Sequence, residues 1–163
     1  MEKYNTLGKR FAALIIDSIL LGVAGLIFSF GAASLSDNPT AFFIVSGLFN
    51  AINVFYFILL HAYYGQTLGK KAFGVKVVDD TEAPINFGQA VVRHLPELIP
   101  ALFAVTLINP EMYQDAATQI VSGIISGAAV VFHIAGVVVC LVNEKHRALH
   151  DFIAGTVVVR TDV

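Results

Sequence analysis

Gly8-Lys9-Arg10-Phe11-Ala12-Ala13-Leu14-Ile15-Ile16-Asp17 is the stretch from which the rest of the chain is read. Two adjacent basic residues stop where an apolar run starts. The run continues to Ala33, long enough for a helix to cross a bilayer, because a crossing needs about 20 mostly apolar residues. One acid, Asp17, lies inside it. A basic flank before an apolar run is also the layout of a signal peptide. This run exceeds a typical h-region and carries an acid, so it is expected to be retained as a first span.

The composition extends that reading to the whole chain. Of 163 residues, 56% are apolar and 13% charged, and the mean hydropathy is +0.75. Soluble domains carry about 25% charged residues, so this chain has too little polar surface to cover a water-soluble globule. The lipid bilayer is its expected partner. No basic block points to nucleic acid. The single cysteine, Cys140, excludes an internal disulfide and a multi-cysteine metal cluster.

Candidate spans lie at 11–33, 41–63, 87–108 and 118–142. The third is weak: Arg93 and Glu97 interrupt its first half, and Pro96 and Pro100 should kink it and free carbonyls. Basic residues favour counting it, since cytoplasmic loops are enriched in Lys and Arg. With four spans, all ten Lys and Arg fall on one side, while Ser34 to Thr40 and Asn109 to Ala117 carry only the acids Asp37, Glu111 and Asp115. The expected fold is therefore an all-α bundle of four transmembrane helices, one domain over 1–163, with both termini cytoplasmic. A re-entrant third segment is the competing arrangement. Between spans two and three, Leu68 and Phe73 are expected to dip into the acyl boundary while the lysines reach headgroups. Short β-like segments are expected at the cytoplasmic face, at Gly74 to Val78 and again at Gly155 to Arg160, where they could pair.

Polar residues within spans are the candidates for function, since an ion in hydrocarbon normally faces the bundle interior with a partner. Asp17 follows Arg10 by seven residues, nearly the same helical face, so Arg10 is expected to reach toward it. Asp17 either fixes packing or binds an ion. Asn50 and Asn53, in one arc with Ser46 and His61, read as interhelical glue or as ligands beside Asp17. His133 reads as a hydrogen-bonded core histidine or as a proton relay with Asp17. Arg93 can pair with Glu97 four residues on, or answer Asp17 or Asp151. Gly123 and Gly127 permit close helix approach. His146, His150 and Asp151 lack a full ligand set, and no metal is expected there.

Taken together these residues resemble the RDD family of prokaryotic membrane proteins. Arg10 and Asp17 match the arginine and the aspartate of the first helix, and Asp151 matches the further aspartate. The loop signature stands complete as Gly65-Gln66-Thr67-Leu68-Gly69-Lys70, followed in order by Gly74 to Asp79 and by Arg93. The resemblance implies a cytoplasmic (inner) membrane protein that takes part in transport, exchanging sodium or other monovalent cations for protons. Asp17 suits that chemistry, because one carboxylate can hold a proton or a cation in turn. Arg10 would tune it, and Asn50, Asn53 and His133 would add ligands. Four helices leave little room for alternating access, so a homo-oligomer is expected. The alternative is a non-catalytic scaffold subunit in which Arg10, Asp17, Arg93 and Asp151 form a structural ion network. An enzyme is not expected, nor a cofactor: the chain has no Gly-rich phosphate loop and no catalytic Ser/His/Asp grouping.

Overall fold

The structure is a computed structural model that describes residues 2–35, 37–106 and 114–162, with the backbone alone for 104–106. A short 3-10 turn, Glu2–Tyr4, leads into α1, Leu7–Ala33. Helix α2 is Pro39–Tyr64. Asn38 starts it by accepting the Ala41 N–H (3.1 Å), with proline in the first turn where a missing N–H costs nothing. Gly65 ends it in the left-handed region (φ +70°), returning its N–H to the His61 carbonyl.

Next come α3, Leu68–Ala72, and strand β1, Val75–Asp79. In the turn after β1, Asp79 Oδ1 accepts the N–H groups of Thr81 and Ala83 and the Thr81 hydroxyl. Helix α4, Phe87–Arg93, opens with a reciprocal capping box between Asn86 and Gln89. It is followed by α5, Leu95–Thr106, α6, Ala116–Val142, α7, Leu149–Ile153, and β2, Thr156–Arg160.

Among the described residues three helices are long and apolar enough to cross a membrane: α1 with its leading turn, α2 and α6. The third expected span is divided instead. It breaks at His94 into α4 and α5, and the 12 described residues of α5 rise about 18 Å. Pro96 sits in the first turn of α5, where it fits; only Pro100 lies inside the helix. The expected end of that span, Ile108, and the loop acid Glu111 lie outside the described residues.

The two β-branched runs do pair. Strands β1 and β2 form an antiparallel ribbon in the register Val75↔Arg160, Val77↔Val158, Asp79↔Thr156. Val75, Val77 and Val158 are buried with Ile58, Ile85 and Ala90, so the densest apolar core sits at one end of the helices rather than along them. Large residues along the long helices, such as Ile27 and Phe30 of α1 and Ile124 and Val131 of α6, stay exposed, as a lipid-facing surface requires. A Cβ added at Gly123 or Gly127 would meet nothing within 4 Å, so the close approach they permit is not made among the described residues.

All ten Lys and Arg belong to the end that holds the ribbon. Ion pairs tie that end together: Lys3 with Glu82, Lys9 with Asp162, and Arg160 with Asp162.

Candidate functional site

Three polar groups lie inside or just beneath this end, and the first is centred on Asp151. Its carboxylate is fully buried between two guanidinium groups. Arg10 Nη1 donates to Oδ2 at 2.7 Å, and Arg93 Nη1 donates to Oδ1. Oδ2 also accepts the Ala148 N–H (2.9 Å) at the start of α7. Arg93 continues to Thr156 Oγ1 (2.9 Å) and His150 Nε2 (3.2 Å), and Arg147 Nη2 donates to the Asp151 carbonyl (3.2 Å). Burial pushes the Asp151 carboxyl up, but Arg93, then Arg10, overcome it and hold the group well below the usual carboxylate range. Burial, then Arg93, pushes His150 down to about 3, so it is neutral at physiological pH. One acid thus joins α1, α4 and α7.

The pairing expected between Arg10 and Asp17 is not made; Arg10 turns to Asp151 because that carboxylate lies at its own end of the helix. Asp17, 2% exposed, instead collects uncharged donors. Oδ1 accepts the Tyr56 hydroxyl (2.8 Å) and the Gly69 N–H (2.9 Å), and Oδ2 accepts the Thr67 hydroxyl (2.6 Å). This clasp explains the loop signature. Thr67 caps α3, its Oγ1 accepting the Lys70 N–H (3.2 Å) while its hydrogen goes to Asp17. Gly69 is required: a Cβ there would stand 2.2 Å from the Ala13 carbonyl oxygen and 2.9 Å from Asp17 Cγ. Gly65 provides the left-handed turn, its carbonyl accepts the Val77 N–H (2.7 Å), and Gln66 completes the turn.

Asn50 and Asn53 make no hydrogen bond to Asp17, whose donors are Tyr56, Thr67 and Gly69. Their amide nitrogens donate to the Ser46 and Phe49 carbonyls one turn back in their own helix, at 2.9 and 2.8 Å. His133 does not reach Asp17 either.

The third group is a line of titratable side chains that crosses from α3 to α6. Lys70, expected at the headgroups, turns inward, and its Nζ lies 2.6 Å from His61 Nε2. His61 Nδ1 lies 2.7 Å from the Phe57 carbonyl and 3.1 Å from His94 Nε2. His94 Nδ1 is 3.6 Å from Glu97 Oε2, and Glu97 Oε1 is 2.8 Å from His133 Nε2. Glu97 therefore faces two histidines, while Arg93 goes to Asp151. Glu97 Oε2 is a buried oxygen with no hydrogen-bond partner among the described residues. Beside Glu97 and His133 a cavity of about 390 Å³ opens, lined also by Pro96, Pro100 and Ser126.

This line escaped the sequence reading because its members come from four helices. The only local signal was His94 and Glu97 at i,i+3. Tyr56, the aromatic donor to Asp17, gave none. His146 and His150 do not converge: His146 Nδ1 faces the Cys140 carbonyl (3.0 Å) and His150 faces Arg93.

Long apolar helices that end in a buried arginine–aspartate centre under a small ribbon define a membrane protein whose polar chemistry is concentrated at one end. The chain belongs to the RDD family, whose profile matches residues 4–155. No curated protein and no solved structure matches it.

Proposed function

We propose that the protein is a small proton-coupled transporter of a prokaryotic inner membrane, exchanging monovalent cations for protons, in which Glu97 rather than Asp17 takes and releases the proton. The observation that carries this reading is the state of the two carboxylates. Asp17 already accepts three hydrogen bonds, and protonating it would unseat α3. Glu97 keeps an unpartnered Oε2, a histidine on each side and a cavity at hand. A carboxyl in that setting can change protonation without dismantling the fold.

The topology proposed with it is four crossings and both ends cytoplasmic. All ten basic residues at one end support it. In that arrangement the third crossing includes α4 and α5. A homo-oligomer is proposed as well, and the open Gly123–Gly127 face of α6 suits a second copy.

The test is flux in proteoliposomes with an imposed sodium gradient and an internal pH dye. Wild type is expected to move protons against sodium, Glu97→Gln to abolish that movement, and Asp17→Asn to retain it. Full exchange by Glu97→Gln would overturn the reading.

A further inference from the structure

We propose that Lys70, His61 and His94 form the internal proton path between the basic end of the protein and Glu97, with His133 as the last acceptor at the cavity. The inference rests on Glu97 being the exchanging group and adds the route by which its proton travels.

The geometry sets the tautomers. His61 Nδ1 faces the Phe57 carbonyl, which can only accept, so that nitrogen carries hydrogen and Nε2 presents its lone pair to Lys70. The one His61 Nδ1 hydrogen is shared between the Phe57 carbonyl, 2.7 Å away, and the lone pair of His94 Nε2, 3.1 Å away, and the His94 Nδ1–H points at Glu97. His133 Nδ1 faces the Ala129 carbonyl at 2.7 Å, so its Nε2 lone pair faces Glu97 Oε1. Every neutral ring is thus oriented to accept on the Lys70 side and donate on the Glu97 side, up to the terminal acceptor.

A transfer balances at each step. The Lys70 ammonium gives a proton to His61 Nε2 and becomes an amine. The His61 imidazolium releases its Nδ1 proton to His94 Nε2. His94 releases its own Nδ1 proton to Glu97 Oε2, after closing the 3.6 Å gap, and the carboxylate becomes a carboxylic acid. The carboxyl then turns about its terminal bond, which brings the protonated oxygen to the position facing His133, and the proton passes to His133 Nε2, which lies 2.8 Å from the oxygen at that position. One proton has moved, and the two relay imidazoles are left in the opposite tautomer. The return of the rings resets the line.

The charges around the path favour its operation. Facing Lys70 and His61 are Arg10 and Asp17 of α1, Arg93 of α4, and His150 and Asp151 of α7. Asp151 is shared by Arg10 and Arg93, and the Asp17 carboxylate is held by Tyr56, Thr67 and the Gly69 N–H, so neither acid forms an ion pair with Lys70 among the described residues. Burial, then Arg93 and Arg10, lower its amine well below the ordinary lysine value, against the opposing pull of Asp151 and Asp17. A lysine so placed gives up its proton readily.

The experiment compares His61→Gln, His94→Gln, Lys70→Ala and Glu97→Gln in the same proteoliposomes, each accepted only if it retains the wild-type elution position and melting behaviour in detergent. Glutamine keeps a hydrogen bond but cannot pass a proton. Sodium-driven proton movement is expected to fall at least about 100-fold in His61→Gln and His94→Gln, the scale of a lost general acid–base group. Lys70→Ala is expected to fall similarly and to recover when methylamine is added, which a purely structural role would not allow. Wild-type rates in a folded His61→Gln or His94→Gln would overturn the path. If Glu97→Gln is inactive while both histidine variants run at full rate, the path fails and the exchange site stands. If Glu97→Gln exchanges normally, the exchange site itself fails and the path with it. His61 is 1% exposed and its replacement can cost stability; His94, 9% exposed, and the half-buried Lys70 then carry the test alone.

Discussion

Replacing Asp151 by Asn is the most demanding test of the polar centre. The substitution keeps the size of the side chain and leaves an oxygen for the Ala148 N–H. It removes the one negative charge shared by Arg10 and Arg93, whose side chains are 12% and 3% exposed. Breaking a buried ion pair by removing one partner costs about 3–5 kcal/mol, because the remaining charge is left desolvated and unpaired. Here two guanidinium groups lose their common partner, so a loss in the upper half of that range is expected. At 1.4 kcal/mol per decade, that lowers the folded-to-unfolded ratio by about a thousandfold. The assay is reversible unfolding by SDS in mixed micelles, followed by circular dichroism. A second variant, Arg10→Gln, separates charge imbalance from general disruption. In the double variant one uncompensated cation is gone, and recovery of at least about 1 kcal/mol relative to additivity is expected. An Asp151→Asn protein within about 0.5 kcal/mol of wild type, or strictly additive losses in the pair, would refute the reasoning.

The Asp17 clasp makes a finer distinction. Asp17→Asn is expected to cost about 1 kcal/mol, since its oxygen can keep Tyr56 and Gly69 while its NH₂ donates to a rotated Thr67 hydroxyl; Asp17→Ala strands three donors at about 1–3 kcal/mol each, and the same SDS titration should rank them so. Gly69→Ala should undock α3, because a Cβ at 2.2 Å from the Ala13 carbonyl meets backbone that cannot move away cheaply; faster proteolysis between Gly65 and Gly74 than in wild type is the readout. Stability should rise with pH on both sides of neutrality. His150 binds its proton near 6.5 when unfolded and only at about 3 when folded, so the unfolded state holds the extra proton between those values and stability falls as pH drops through that window. Lys70 works in the same sense between its lowered folded value and about 10.4, so stability rises with pH there, by at most about 1.4 kcal/mol per pH unit; Lys70→Met should flatten the alkaline rise and His150→Gln the acid fall.

The membrane character, the long helices, the pairing of β1 with β2 and the loop signature were legible in the sequence because each rests on local pattern. An apolar run, a β-branched run or a threonine before a short helix announces itself within a few residues. The partners of the charged groups were not legible. Arg10 and Asp17 share a helix face, and helical spacing alone suggests that they meet. The tail brings a better acid to Arg10, and the Asp17 carboxylate is surrounded by Tyr56, Thr67 and Gly69 before any arginine can reach it. The Lys70–His61–His94 line is likewise a product of tertiary packing. The division of the third segment at His94 was foreshadowed by Pro96 and Pro100, but both prolines fall after the break rather than at it.

The shared aspartate also has a consequence for biogenesis. Arg10 and Asp151 are 141 residues apart in the chain, and at about 5–20 residues per second the acid is synthesised roughly 7–30 s after the arginine. Throughout that interval the first helix carries an unmatched cation, and once Arg93 emerges there are two. The closing strand β2, which seats Thr156 against Arg93, is made after that acid. A nascent chain that stalls or is truncated before α7 therefore presents two naked guanidinium groups and an unpaired strand edge. Those are features that quality-control proteases and chaperones can read, so the last segment made is also the one that certifies the rest.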